Sequence, residues 1–476
     1  MITYQDLLNA IGENKTKEFV RSTIGAYRSS AFYKEAELAD EYNRRRNRTI
    51  LEYQKLLYKA SGETVPDNYS ANYKLCSNFF NRFVTQLNQY LLGNGVTWNK
   101  PQTEKTLGED FDNLLQDAGE DALVHGVSFG FWNLNKLQVF STLEFKPLFD
   151  EEDGSLKAGI RFWQIDTNKP LRATLYELDG YTEYMWNEDN KDGVEIMPKR
   201  GYIAKLKGTD ADGMEIYDYE NYPTFPIVPF YGNKYKQSEF VGMRENIDCY
   251  DLIKSGFANT VDDASMIYWT IQNAGGMDDI DLAKFIEHMK TVKAAVVEDN
   301  GARAESHTMD VPYASRETLL DRLRADMYED FMGLDTKNLA DGAVTATQID
   351  ASYEPLNGKA DKYEYCVIKF IKGILALAGV DDNPTFTRSK IVNKQEEIQT
   401  VLQSAEYLTD EYVTEKILTI LGDGDRVDDI LKQKEVEDMD RSGDIGNEDE
   451  RGDDLDGRGA GGAGEEDNTG LFGSGQ

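Results

Sequence analysis

Three histidines, three cysteines and 86 carboxylates are the side chains of this 476-residue chain from which chemistry could be built. Metal or acid–base catalysis needs such groups to converge, and their spacing gives no sign of it. His125, His288 and His307 are scattered, and none has a Cys or His at ligand spacing beside it. Cys76, Cys249 and Cys366 are far apart and odd in number. That argues against a disulfide framework and for a reduced compartment, with the three thiols acting as small hydrophobes on or beside apolar stripes. The acidic pairs Asp262-Asp263 and Asp278-Asp279 could serve a metal-dependent nuclease. Among 86 acids, however, such neighbours arise by chance. The acidic turns at 150–154 and 210–213 lack the carboxylate spacing and the terminal glutamate of a calcium loop, so they read as turns. The chain has no phosphate-cradling glycine loop ending in Gly-Lys-Ser/Thr, no G-x-S-x-G and no H-E-x-x-H. The expectation is a protein without catalysis, cofactor or metal. The rival from these residues is a metal-dependent nuclease or other acidic-site enzyme.

Charge is the strongest compositional fact. With 52 Lys and Arg against 86 acids the net charge is −34, which argues against ordinary phosphate-neutralising DNA binding. It suits solubility, or a surface that must not hold nucleic acid. The one basic cluster, Arg44, Arg45, Arg46 and Arg48, is either a nucleic-acid patch or a helix face answering Glu35, Glu37, Asp40 and Glu41; the second reading is preferred. No apolar run approaches the roughly 20 residues that cross a bilayer, and residues 1–20 have no apolar core, so neither membrane span nor secretory signal is expected.

The elements that would position these groups are mostly helices. Residues 1–62 read as a polar helical segment, with 35–58 one longer helix. A helix over 73–92 carries a wide apolar face from Leu75 to Leu91 and is stopped by Gly93, Asn94 and Gly95; another lies over 111–124. From Gly126 short segments alternate with Asp-Gly-type turns, which indicates antiparallel hairpins as far as residue 219. Pro223, Pro226 and Pro229 stiffen the exit. From Phe240 apolar residues recur at Met243, Ile247, Tyr250, Ile253, Phe257, Val261 and Ala264, one continuous stripe. Asp248, Asp251, Asp262 and Asp263 fall off that stripe and should face solvent or a neighbour. A second helix over 315–332 sets Leu319, Leu320, Leu323, Met327 and Phe331 against a charged face. Between the two lies an insert with an expected helix at 280–289 and strand at 294–297. Residues 333–345 form a loop by turn chemistry. A long helical pattern then runs from Ile349 to Leu377, with a kink expected at Pro355 and Gly358. Further helices follow at 393–407, 410–421 and 427–436. From Asp438 onward, twelve acids against three arginines with few apolar residues indicate a disordered tail.

That order resembles the tailed-bacteriophage portal proteins of the siphophage type. The likeness rests on NYKLCSNFFNRFVTQLNQYLLGNGVTW at 72–98, PIVPFYGNKYKQSEF at 226–240 and DGAVTATQIDASYEPLNGKADKYE at 341–364. It covers roughly residues 65–380; the two ends match only in character. It implies an α+β, mainly helical portal fold with a long kinked helix, two stem helices, an antiparallel β wing region and a small α/β clip insert. The implied parts are an N-terminal segment (1–62), wing (63–236), first stem helix (237–266), clip (267–313), second stem helix (314–332), tunnel loop (333–345), long kinked helix (346–380), crown (381–437) and acidic tail (438–476).

The resemblance further implies a closed ring of identical copies, twelve in number, at one capsid vertex. Through it DNA is packaged and ejected. Its partners would be double-stranded DNA, the packaging terminase, a head–tail adaptor, and capsid and scaffolding proteins. It would be assembled in the host cytoplasm and carried in the virion. Asp335, Lys337, Asn338 and Asp341 would then approach DNA from the loop, and Asp248, Asp251, Asp262 and Asp263 are candidates to line the stem. Set against this are the enzyme and an assembly scaffold without a pore.

Overall fold

The computed structural model describes residues 2–59, 62–68, 70–188, 190–209, 215–264, 268–272, 303–307, 313–337, 346–389, 394–422, 424–427 and 429–433. The described residues, mixed helix and antiparallel sheet, divide into two compact units, one within Met1–Lys390 and one within Ile391–Gln476.

The first unit is built on the long helix Ala346–Ala378. Leu356, Ala360, Tyr363, Val367, Phe370, Ile371 and Ile374 recur every three or four residues, and all are buried. Pro355 lies inside the helix. Against this face packs a three-stranded antiparallel sheet, with Val127–Asn133 between Ile227–Tyr231 and Lys136–Ser141. The rings of Phe230 and Phe370 stack at 4.7 Å. Pro229 therefore sits within a strand, not merely in a stiff crossing. The strand is an edge, where the missing N–H removes no ladder bond. The helices Phe79–Leu92 and Phe111–His125 complete this core. The second ends at Gly126, whose φ of +88° opens the turn into the next strand; a Cβ there would lie 2.7 Å from the Gln237 carbonyl carbon.

A five-stranded antiparallel sheet runs in the order Val194–Arg200, Gly180–Trp186, Leu171–Glu177, Leu156–Trp163, Phe145–Phe149. Its inner face carries Leu148, Ile160, Phe162 and Leu175, which meet Leu7, Val20 and Ile24 of the helices Tyr4–Gly12 and Thr16–Arg28. Ile203–Thr209 and Glu215–Glu220 pair separately as an exposed hairpin.

The structure corrects several boundaries. The expected helix over 35–58 is instead Ala31–Asn43, a turn with Arg45 at φ +60°, the short helix Arg48–Glu52 and the strand Leu56–Tyr58. Within the basic cluster Arg44 pairs with Asp40 at 3.0 Å and Arg48 with Glu41 at 2.6 Å, so these charges are answered locally. The helix expected from residue 73 begins only at Phe79. Cys249, expected beside an apolar stripe, is exposed, while Cys76 and Cys366 are half-buried.

In the second unit Lys394–Gln403 is followed by a single 3-10 turn, Ala405–Tyr407, and the helix Asp410–Leu421. Thr409 caps that helix by accepting from the Tyr412 N–H at 3.4 Å, and Gly422 closes it at φ +100°. The expected insert helix at 280–289, the strand at 294–297 and the tail from 438 lie outside the described residues.

Candidate functional site

Two antiparallel helices, Arg244–Ala264 and Tyr313–Phe331, are the part of the molecule that the stripe argument singled out. Their far ends lead into Tyr268–Gln272 and Arg303–His307, which pair antiparallel with Tyr268 opposite His307. The pair is joined at both ends. Asn246 donates to Asp330 at 3.2 Å near the body of the molecule. Arg316 donates to Thr260 at 2.8 Å at the far end, where Tyr313 meets Phe257 edge-on at 5.6 Å.

The apolar stripe is not used evenly along its length. Phe240, Met243, Ile247, Met327, Tyr328 and Phe331 are buried. Phe83, from the helix Phe79–Leu92, stacks on Phe331 at 4.7 Å and meets Tyr328 edge-on at 4.9 Å. Further out Val261 is 41 %, Leu319 46 % and Tyr313 53 % exposed. Among the described residues the stripe of 240–264 is thus buried at its body end, half-buried at Tyr250, Ile253 and Phe257, and exposed at Val261.

The polar face of Arg244–Ala264 also departs from expectation. Asp251, Ser255 and Asn259 recur every four residues, about 6 Å apart on a helix. They accept in turn from the N–H groups of Ser77 (2.9 Å), Leu75 (3.0 Å) and Tyr73 (2.6 Å). Alternate residues of an extended chain are about 6.6 Å apart, so the two repeats nearly match. The segment before Phe79 lies antiparallel to the helix, and its main-chain donors are satisfied by side chains instead of a neighbouring strand. This is why residues 73–78 are not helical. The sequence signal is an acid, a serine and an asparagine at i, i+4 and i+8; of the three only Asp251 is singled out by the sequence, with the expectation that it faces solvent or a neighbour.

Asp251 is consequently fully buried, accepts also from the Asn47 side chain, and has its pKa raised by burial against the opposing pull of Asn47 and Ser77. It does not line an open surface, which corrects its assignment to the stem wall. Asp248 accepts from Tyr42 and from Thr49 (2.7 Å) and lies 3.4 Å from Arg244, so it too is turned to the chain's own N-terminal helices. Asp262 is half-buried, and the side chain of Asp263 lies outside the described residues.

The loop after Phe331 starts as a fixed turn. Asp335 accepts from Arg324 at 2.6 Å and from the Lys337 N–H at 3.0 Å, and its side chain is only 13 % exposed. Lys337 is exposed, with its ammonium 3.7 Å from Asp321. Asn338 and Asp341 lie outside the described residues. The structure thus brings Asp335 and Lys337 together and spends the charge of Asp335 on Arg324.

One cluster resembles a catalytic set and fails as one. His125 is buried, with Ser141 Oγ 3.4 Å and Asp121 Oδ1 3.6 Å from the same ring nitrogen, Nδ1. A hydroxyl and an orienting carboxylate on one nitrogen cannot be bridged by the ring as a triad requires. Asp40 is 3.8 Å from Nε2, beyond hydrogen-bond length, and Nε2 has no hydrogen-bond partner. Asp121 is pushed up to about 6, first by burial and then by Glu120, Asp40 and Glu144, with His125 opposing. Among the described residues no group of three His, Cys, Asp or Glu is placed to hold a metal, and no helix is long and apolar enough to cross a membrane.

Comparison with known proteins agrees with the resemblance read from the sequence. Residues 28–440 match the family model described as phage portal protein, SPP1 Gp6-like. The portal protein of Clostridium phage phiCD119 is 27 % identical over 372 residues, covering 70 % of this chain and 79 % of that protein. That of Bacillus phage SPP1 is 24 % identical over 389 residues, 73 % of each. Among solved structures, a chain in the neck of an empty gene transfer agent particle aligns over 72 % of this chain and 90 % of its own length, at 11 % identity and a TM-score of 0.41. That likeness is too loose to carry an argument.

Proposed function

Since this chain belongs to the SPP1 Gp6-like family of phage portal proteins, we propose that it works as a closed ring of identical copies whose central channel admits and releases the genome. The observation that carries the ring is the uneven stripe. A helix pair whose apolar side is covered at the body and exposed at Val261, Tyr313 and Leu319 gains by lying against a copy of itself, and head-to-tail contacts of that kind close into a ring.

On this reading Arg244–Ala264 and Tyr313–Phe331 are the stem, the sheets of 127–231 with the helices before them are the wing, and the strand pair Tyr268–Gln272 with Arg303–His307 is the root of the clip. The clip would meet the packaging terminase and the head–tail adaptor. Residues 381–437 would form the crown. Asp262 and Asp263, at the far end of the stem, would be the acids nearest the axis. Lys337, Asn338 and Asp341 would approach DNA, and the net charge of −34 would keep phosphate from sticking. The chain itself would catalyse nothing.

Negative-stain images of the purified full-length protein test the ring. An annulus with a central hole is expected; a lone globule or a rod would overturn it. The loop is tested separately by D341K in packaging assays. Slower packaging is expected, and an unchanged rate would remove the loop from the DNA path.

A further inference from the structure

Three cavities of the first unit adjoin one another through shared lining residues and are treated together as one groove. The first, about 670 Å³, lies between the N-terminal helices and the wing strands and is lined by Tyr27, Phe32, Lys146 and Lys236. The second, about 220 Å³, shares Phe32 and Lys236 with it and has His125 in its wall. The third, about 520 Å³, shares Gln237, Ser238 and Val241 with the second and extends to Lys362 and Tyr365 on the long helix. The turn at 232–241 lines the second and third, and its Lys236 also reaches the first.

The groove combines two properties. Its rim is apolar and exposed: Phe32 at 39 %, Val241 at 45 %, Tyr235 at 68 % and Tyr365 at 72 %. Its charge is locally positive. Lys146, Lys234, Lys236, Lys359 and Lys362 line it against Glu35 and Glu239, and Glu239 is already paired with Lys359 at 2.7 Å. Among the described residues Lys146, Lys234, Lys236 and Lys362 have no carboxylate partner. Lys146 is buried and donates only to the main-chain carbonyls of Ile2 (3.3 Å) and Pro147 (2.8 Å). Lys234 and Lys236 lie over the rings of Tyr235 and Tyr231. What would complete these groups is an apolar segment edged with carboxylates.

We propose that the groove is a docking surface for a second copy of this chain, which brings an acidic, partly apolar segment across the 232–241 turn. A chain of net charge −34 offers such segments on most of its surface, and two such chains repel unless lysines are concentrated where they meet. The partner is therefore selected by charge as well as by the aromatic rim. The inference rests on the ring reading and assigns one of its contact faces; the stem stripe, at the far end of Arg244–Ala264 from Val241, is a separate surface.

The test uses full-length protein with p-benzoylphenylalanine in place of Tyr235, and separately the exposed-residue variant K236E/K362E with its fold checked by circular dichroism. Annuli whose Tyr235 probe gives, on illumination, a covalent pair of twice the subunit mass, together with about tenfold fewer annuli for K236E/K362E, are the expected results. Annuli that form without covalent pairs, or that form equally well after charge reversal, overturn the groove and leave the ring standing. Capture of DNA or of another capsid protein by the probe overturns the second copy as occupant. Absence of annuli from the unmodified protein overturns the ring, and the groove falls with it.

Discussion

The two ends of the helix pair Arg244–Ala264 and Tyr313–Phe331 carry the same kind of stripe in different surroundings. At the body end Phe83, Tyr328 and Phe331 interlock, and on the opposite face Asp251, Ser255 and Asn259 hold the main chain of residues 73–77. At the far end Val261, Tyr313 and Leu319 keep about half of their surface open. Apolar periodicity therefore reports where a helix can be covered, not what covers it. One chain accounts for the first half of the stripe, and on the ring reading other copies account for the second.

The comparison is broken most directly at its inner end. Phe83→Ala removes a fully buried ring from between Tyr328 and Phe331 and should cost about 3–5 kcal/mol in chemical denaturation of the unassembled protein. A loss below about 1 kcal/mol would mean that the inner end is no better packed than the outer. Asp251→Ala should cost about 2–3 kcal/mol, because Ser77 N–H and the Asn47 amide lose their acceptor in a buried place. It should also raise amide exchange at Tyr73, Leu75 and Ser77 before it alters the helix. Unchanged exchange there would show that the polar ladder does not hold the segment.

A second acid sharpens the contrast. Burial raises both Asp251 and Asp121, but the donors Asn47 and Ser77 oppose the rise at Asp251, whereas at Asp121 only His125 opposes it, Glu120, Asp40 and Glu144 add to it, and the group is pushed up to about 6. An unfolded aspartate titrates near 3.9, so between about pH 4 and 6 the folded chain holds the extra proton. Stability must then fall as pH rises through that window, with the whole loss present above 6. Asp121→Asn should thus stabilise at pH 7 and leave pH 4 unchanged. About a third of this side chain is exposed, so water screens the repulsion and the gain is about 1 kcal/mol. Thermal melts at the two pH values decide it; an equal shift at both would place the effect in packing.

The long helix was legible in the sequence because one period governs its whole buried face, from Tyr353 to Ile374. The hairpins were legible because Asp-Gly-type turns separate strands whose partners are close in sequence, as with Leu171–Glu177 and Gly180–Trp186. Residues 73–78 were misread for the opposite reason. Leu75 and Phe79 fit a helical period, and what holds the segment straight is supplied from residues 251–259, some 174–186 positions away. The stem acids failed likewise, since nothing local distinguishes Asp251, which is buried, from Asp262, which is only half-buried. The loop acids are divided by the same kind of distant fact: Asp335 is neutralised by Arg324 from the preceding helix.

The smallest expected effect on the single chain is the most informative about the outer end. Leu319→Ser changes an exposed side chain with no buried cavity to leave behind, so the unassembled protein should keep its stability to within about 0.5 kcal/mol. If a neighbouring copy covers that side chain in the ring, the same change should reduce the fraction of subunits in annuli, because each contact then loses an apolar group worth about 1–2 kcal/mol and the loss recurs at every interface. The two measurements must therefore diverge: no shift in the denaturation midpoint of single chains, and a clear fall in assembly at equal concentration. If both stay unchanged, the outer half of the stripe is not a subunit contact. If both fall together, Leu319 is held by its own chain and the difference between the two ends disappears.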